Sequence, residues 1–245
     1  MVGFFFILGT IIGSFLNVVI LRSLSGESLV YPPSHCAQCQ HHLAPRDLIP
    51  VLSYIILKGK CRYCGSKISI QYPLIELVTG IVFVLLYLKY GLTVELAQML
   101  VFASILIIIT MTDIKAMTAS HIIALVGFAI VLILKIIAGE DILIAFLPAI
   151  TLFILFAIGC YFGGIGDGDV SLAALIGLAL GMLSMAAVFI AIVIGGIYGI
   201  ILIIQNKANS KKQIPLVPFL TAGCMLAIML EPQINAYISS FYYFF

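Results

Sequence analysis

Two sets of side chains in this sequence are of types and spacings that do chemistry, and the first is a set of thiols. Cys36-Ala37-Gln38-Cys39 and Cys61-Arg62-Tyr63-Cys64 are C-x-x-C pairs separated by 21 residues. Each pair lets two thiolates approach one ion, and two pairs complete a tetrahedron around Zn²⁺ with no position left open. The spacing therefore predicts a closed, structural metal site. Two disulfides or a redox pair are the competing readings, and a reducing compartment, argued below, counts against stable disulfides. His35, His41 and His42 are close enough in sequence to substitute as ligands, but beside four thiols they read as bystanders on a polar surface. Cys160 and Cys224 stand alone in apolar runs and read as core filler.

The second set is carboxylic. Asp113 ends an apolar run, and Asp169 begins another just after Gly163-Gly164-Ile165-Gly166-Asp167-Gly168. Carboxylates beside hydrocarbon are costly when ionised, so their positions carry information. If the two meet in a poorly solvated site they cannot both ionise, and the pair holds one proton. The ionised member can then draw a proton from a bound water while the protonated member polarises a scissile carbonyl, which is peptide hydrolysis of the aspartic type. Gly166 and Gly168 would let backbone approach an extended substrate closely. The plain alternative is that the aspartates cap helices, and for Asp167 that alternative is the stronger one. Glu76, three residues after Pro73, either favours the positive end of a helix dipole or is functional by virtue of an apolar setting. A serine or cysteine mechanism has less support, because His121 has no obvious nucleophile partner in sequence.

The elements that must position these groups are membrane helices. Of 245 residues, 63% are hydrophobic and 9% charged, which excludes an ordinary soluble domain. With about 20 apolar residues needed per crossing, the candidates are roughly 3–21, 74–90, 94–112, 118–137, 142–161, 184–204 and 215–230, with Val170 to Met182 as a shorter element. That element and its successor are too long together for one crossing, so a break near Gly181-Met182-Leu183-Ser184 is expected. The fold class is all-α and polytopic, with about eight transmembrane helices and a small polar loop domain between the first two. The domain reading is 1–21 as helix one, 22–72 as a cytosolic metal-binding loop and 73–245 as the peptidase helices. Met1 to Leu21 lacks a basic n-region and a small-residue cleavage pattern, so it reads as a retained helix.

Lys and Arg favour the cytosolic side of short loops. An outside amino terminus puts Arg22, Arg46, Lys58, Lys60, Arg62, Lys67, Lys115, Lys207, Lys211 and Lys212 on one side, against Lys89 and Lys135 on the other. This makes the 22–72 loop, the turn after Asp113, the Gly163–Asp169 turn and the 205–214 loop cytosolic, with the aromatic tail 241–245 at the outer headgroups. A net charge of +2 without a long basic run gives no ground for a nucleic-acid partner; membrane lipid is the expected environment.

Taken in order, Gly13-Ser14-Phe15-Leu16-Asn17-Val18, the paired C-x-x-C motifs, Ile49-Pro50-Val51-Leu52-Ser53-Tyr54, Tyr72-Pro73-Leu74-Ile75-Glu76-Leu77 with Thr79-Gly80, and Gly166-Asp167-Gly168-Asp169 resemble the type IV prepilin peptidases over nearly the whole chain. The resemblance implies a G-x-G-D membrane aspartic protease with Asp113 and Asp169 as its catalytic residues. It implies cleavage of prepilin and pseudopilin leaders after a glycine at the cytosolic face of the bacterial inner membrane. It also implies S-adenosylmethionine-dependent methylation of the new amino terminus, associated with the metal-binding loop; no nucleotide fingerprint places the donor. The chain departs from the pattern twice. Ala119-Ser120-His121 stands where many relatives carry Leu-Pro-Asp, and Ser171 stands where a lysine often follows the second aspartate. Two other functions compete: a methyltransferase or zinc scaffold without proteolysis, and an ion-coupled transporter, which would more often hold its acids near mid-membrane.

Overall fold

The computed structural model describes residues 1–117, 119–205 and 214–242, with the side chains of 238–242 left aside. Lys207, Lys211 and Lys212 and residues 243–245 of the aromatic tail lie outside the described residues. Among the described residues the only regular elements are helical, and seven helices are long and apolar enough to cross a membrane. The chain forms two compact units, Met1–Leu96 and Ala97–Phe245.

In the first unit, α1 (Val2–Ser25) lies against α3 (Gln71–Tyr90), and between them in sequence come a 3₁₀ turn (Pro45–Asp47) and the short α2 (Leu52–Ile56). Small residues set the α1–α3 contact. A Cβ at Gly9 would sit 2.7 Å from the Gly80 Cα, and one at Gly13 would sit 2.8 Å from the Glu76 Cα. This is the small-xxx-small arrangement by which apolar helices approach backbone to backbone. Asn17, fully buried, ties the same pair: its side-chain amide donates to the Gly13 and Tyr72 carbonyls at 3.2 Å each. Phe5 and Tyr87 stack at 4.4 Å farther along.

In the second unit, α4 (Val94–Ala116), α5 (His121–Ala138), α6 (Ile142–Tyr161), α8 (Leu183–Ile204) and α9 (Val217–Tyr242) accompany α7 (Asp167–Leu180). Helix α7 is the shortest of these and the most enclosed. It packs on α5, α6, α8 and α9, and nearly every residue from Val170 to Ala179 is buried. Gly177 allows α6 to close in, since a Cβ there would lie 2.6 Å from the Pro148 carbonyl. Between α7 and α8 the chain breaks at Gly181, at φ 57°, where the length argument expected it.

Helix ends differ from a hydropathy reading wherever polar residues continue the backbone ladder. Helix α4 runs on to Ala116, so Asp113 lies inside its last turn rather than at its end. Helix α5 begins only at His121, where the Ser120 hydroxyl accepts the Ile123 N–H at 3.5 Å. Helix α6 is capped by Asp141, which accepts from Leu143 N–H at 3.0 Å. Helix α9 continues through Pro232 to Tyr242, past the expected end near 230.

Candidate active site and thiol cluster

The four loop cysteines converge: their sulfurs all lie within 4.8 Å of one another, and Cys36 Sγ and Cys64 Sγ are 3.8 Å apart. A tetrahedral ion with bonds of about 2.3 Å requires sulfur pairs about 3.8 Å apart, so these four thiols are grouped closely enough to hold a metal ion. Two equivalent turns build the cluster. The N–H of Gln40 returns to the Cys36 carbonyl and the N–H of Gly65 to the Cys61 carbonyl, both at 2.9 Å. Gln40 and Gly65 are both left-handed, with φ of 57° and 72°. Short antiparallel bridges close each turn, His35 with His42 and Lys60 with Lys67.

The electrostatics suit thiolates. Backbone N–H groups of Cys39 and Gln38 pull the Cys36 thiol down to about 6, and the Ser66 hydroxyl and N–H hold Cys64 below its usual range. Cys39 goes the other way, to about 11. The His41 N–H opposes that rise, but desolvation and the neighbouring Cys64 and Cys36 sulfurs outweigh it. Neighbouring sulfurs disfavour one another's charge in this way. Arg62 and Asp47 form an ion pair at 2.6 Å beside the second turn, and Tyr63 donates to the same carboxylate at 3.0 Å. His41 lies over the Tyr63 ring at 3.7 Å, and His35 Nδ1 is 3.0 Å from the Pro33 carbonyl oxygen; neither joins the thiol cluster.

Within the same unit a cavity of about 620 Å³ opens between the loop and the helices, with Ser14, Arg22, Cys36, Tyr54, Tyr72 and Glu76 among its lining residues. Glu76 is buried and accepts the Val51 N–H at 2.7 Å. Its partner is therefore a loop amide rather than the amino-terminal end of its own helix. Arg22 is committed to the chain, donating to the Ser28 carbonyl at 2.7 Å and to the Pro32 carbonyl.

In the second unit α5 and α6 separate Asp113 and Asp169 along the chain, yet the two carboxylates come within electrostatic range of each other. Each faces the amino-terminal end of a helix. Asp113, buried in the last turn of α4, accepts the N–H of Val217, the first residue of α9, at 3.2 Å. It thereby satisfies a donor that α9 cannot satisfy itself. A hydrogen bond between the hydroxyls of Thr110 and Thr221, 2.7 Å, holds α4 and α9 in that register. Asp169 is half-buried in the first turn of α7 and folds back onto the Gly166 N–H at 3.2 Å. Cap and acid are thus the same residue, and the helix-capping alternative does not separate from the chemical one at this position. Asp167 is exposed and accepts from the Cys160 thiol at 3.0 Å. Around the turn, a Cβ at Gly168 would fall 2.1 Å from the Ala119 carbonyl oxygen, so the chain's own α4–α5 link fills the space beside this glycine. A Cβ at Gly166 would meet only Asp169 Oδ2, at an ordinary 3.4 Å.

Comparison with known proteins agrees with this architecture. The family model described as Bacterial Peptidase A24 N-terminal domain matches residues 7–90, and that of the Type IV leader peptidase family matches 100–200. A prepilin leader peptidase/N-methyltransferase of Bacillus subtilis (strain 168) is 34% identical over 241 residues, 97% of either chain. The chain belongs to the type IV leader peptidase family. Relatives of the same description from Myxococcus xanthus (strain DK1622) and Stutzerimonas stutzeri are 35% and 28% identical; the alignments cover 83% and 94% of this chain and 63% and 91% of theirs. No solved structure matches.

For a type IV leader peptidase, the structure adds partners that the sequence did not reveal. Nothing in spacing pairs Val217 with Asp113, because the contact crosses 104 positions. His121, which has no evident partner along the sequence, is hydrogen-bonded through Nδ1 to Ser171 Oγ. The two positions at which the chain departs from the pattern it resembles thus touch each other. Their shared departure from that pattern marks the two positions out in sequence but does not pair them.

Proposed function

We propose that this multi-pass membrane protein is an aspartic endopeptidase that removes leader peptides from type IV prepilins or pseudopilins, with Asp113 and Asp169 as its catalytic pair. The observation that supports the reading is that two acids from different helices lie within electrostatic range of each other, each accepting an N–H at the amino-terminal end of a helix. In that setting one carboxylate deprotonates a water while the other, protonated, donates to the scissile carbonyl as negative charge develops on its oxygen. The Val217 and Gly166 amides orient the two acids, and their N–H donors leave the second oxygen of each carboxylate for water and substrate. Acids at helix ends also suit a peptide arriving from the aqueous side better than they suit ion transport across mid-membrane.

The cysteine cluster is read as a Zn²⁺ site held by Cys36, Cys39, Cys61 and Cys64, stabilising the 22–72 loop, while the helices from 73 onward form the peptidase part. The Lys and Arg distribution supports a cytosolic loop and a cytosolic aspartate site in the bacterial inner membrane. Outward-facing Phe189, Ile192 and Ile200 on α8 suit lipid chains.

Methylation of the new amino terminus is the second activity. S-adenosylmethionine, when bound, supplies an electrophilic methyl group. The cavity beside the loop is of ligand size, and Tyr54, Tyr72 and Glu76 offer it aromatic faces and a carboxylate. The test is to incubate the purified full chain with a synthetic prepilin and S-adenosylmethionine and to weigh the product. Leader loss with a methyl increment is expected; an uncut substrate overturns the peptidase reading, and a cut but unmethylated one overturns the second activity alone.

A further inference from the structure

The turn that carries Asp169 is pinned on both sides of that residue by the same short segment. Before it, Ala119 lies directly against Gly168, so close that no side chain fits between them. After it, buried Ser171 is hydrogen-bonded to His121. Ala119 belongs to the link that follows α4, the helix whose last turn holds Asp113, and His121 opens α5 directly after that link. Directly after α4 comes a left-handed residue, Met117, at φ 54°, whose N–H returns to the Asp113 carbonyl at 2.8 Å. Ser120 caps α5, so His121 is presented from a defined first turn. Farther along, α5 and α7 pack through Gly127, where a Cβ would lie 3.2 Å from Leu175. The segment leaving one acid thus grips the turn bearing the other.

We propose that the His121–Ser171 hydrogen bond is a positioning clasp, fixing the Asp169 turn at the separation from Asp113 that peptide cleavage requires. Neither residue is a catalytic residue in this scheme; both act through Asp169. The inference rests on the diacid reading. Displacing a reacting group by about 1 Å costs on the order of 10²-fold in rate without a matching loss of ground-state binding.

The experiment uses the full chain in detergent with a synthetic prepilin, measuring kcat and KM for His121→Ala, Ser171→Ala, the double variant, Ser171→Thr and His121→Asn, beside Asp169→Asn. Each alanine variant lowers kcat roughly 10- to 100-fold with KM within about twofold. The double variant is no slower than the slower single one, because one shared bond is lost once. Ser171→Thr keeps the hydroxyl and His121→Asn keeps a hydrogen-bonding atom near Nδ1, so both recover most of the rate. They also keep the test decisive if an alanine variant misfolds, since both remove less of the hydrogen-bonding side chain than alanine does. Unchanged kcat, multiplicative losses in the double variant, or failure of both conservative variants overturns the clasp. If Ser171→Ala is as inactive as Asp169→Asn and Ser171 of the unsubstituted chain is labelled by a fluorophosphonate, Ser171 is a nucleophile and the clasp is refuted. Full cleavage by Asp169→Asn instead refutes the diacid reading on which it stands.

Discussion

Cys36 and Cys64 are 28 residues apart and their sulfurs 3.8 Å apart, while Asp113 and Asp169, separated by two whole helices, come only within electrostatic range of each other. In the loop, local turns do the positioning: each C-x-x-C wraps its own hydrogen-bonded turn, and the assembly needs only that two such turns face each other. A small polar loop has little apolar surface to bury, and four thiols that could hold one ion offer a crosslink in place of a core. The carboxylate site has no such crosslink. It is set by backbone-close helix packing, by the amide of Val217, and by the link that lies on Gly168. Chemistry held by ligands should fail when a ligand is removed; chemistry held by packing should fail when a volume is added.

The largest expected effect distinguishes reacting groups from scaffold. Asp113→Asn and Asp169→Asn should each lower leader cleavage by roughly 10²- to 10⁴-fold or more, with helicity by circular dichroism and metal content unchanged. Normal processing by either purified variant removes that residue from the pair. Next, Cys36→Ser or Cys61→Ser should leave bound zinc below stoichiometric by elemental analysis and cost the loop several of the roughly 10 kcal/mol that a structural zinc contributes. Full occupancy in both variants would show that these thiols are not ligands.

A third experiment adds a single methyl group where packing is tightest. Gly168→Ala forces a Cβ towards the Ala119 carbonyl, 2.1 Å away, and should cost about 1–3 kcal/mol. Cleavage should fall while zinc content does not, and a fully active, equally stable variant would mean that the link can move aside freely.

The smallest effect concerns the Arg62–Asp47 pair. Arg62 and then Tyr63 hold the Asp47 carboxyl below its usual range. A depressed carboxylate contributes stability above its unfolded value and loses it as the pH falls through the folded one. Asp47→Asn should therefore weaken the loop by under about 1 kcal/mol at neutral pH, with the difference vanishing in acid. A difference that persisted or grew as the pH fell, followed by loop melting, would mean that the pair is not what Asp47 contributes.

Much of this was legible in advance where the signal is local. Hydropathy located the long helices and the break at Gly181, and C-x-x-C spacing located the thiols that cluster. Helix ends were less legible, because Asp113 and Lys115 lower hydropathy without interrupting the α4 ladder. Gly13, Asn17 and Gly80 could be picked out as a motif, but their role as the close seam of α1 and α3 could not.

The sequence by itself determined that the chain is a bundle of apolar helices, that four thiols can hold one ion, and which carboxylates lie at the ends of apolar runs. Composition, a repeat of three residues and hydropathy are properties of neighbours along the polymer. Only the tertiary structure decided that Val217 serves Asp113, that Ala119 fills the space beside Gly168, and that His121 has Ser171 for a partner. Those contacts join segments whose separation along the chain carries no periodic signal, and they exist only once α7 is enclosed by its neighbours.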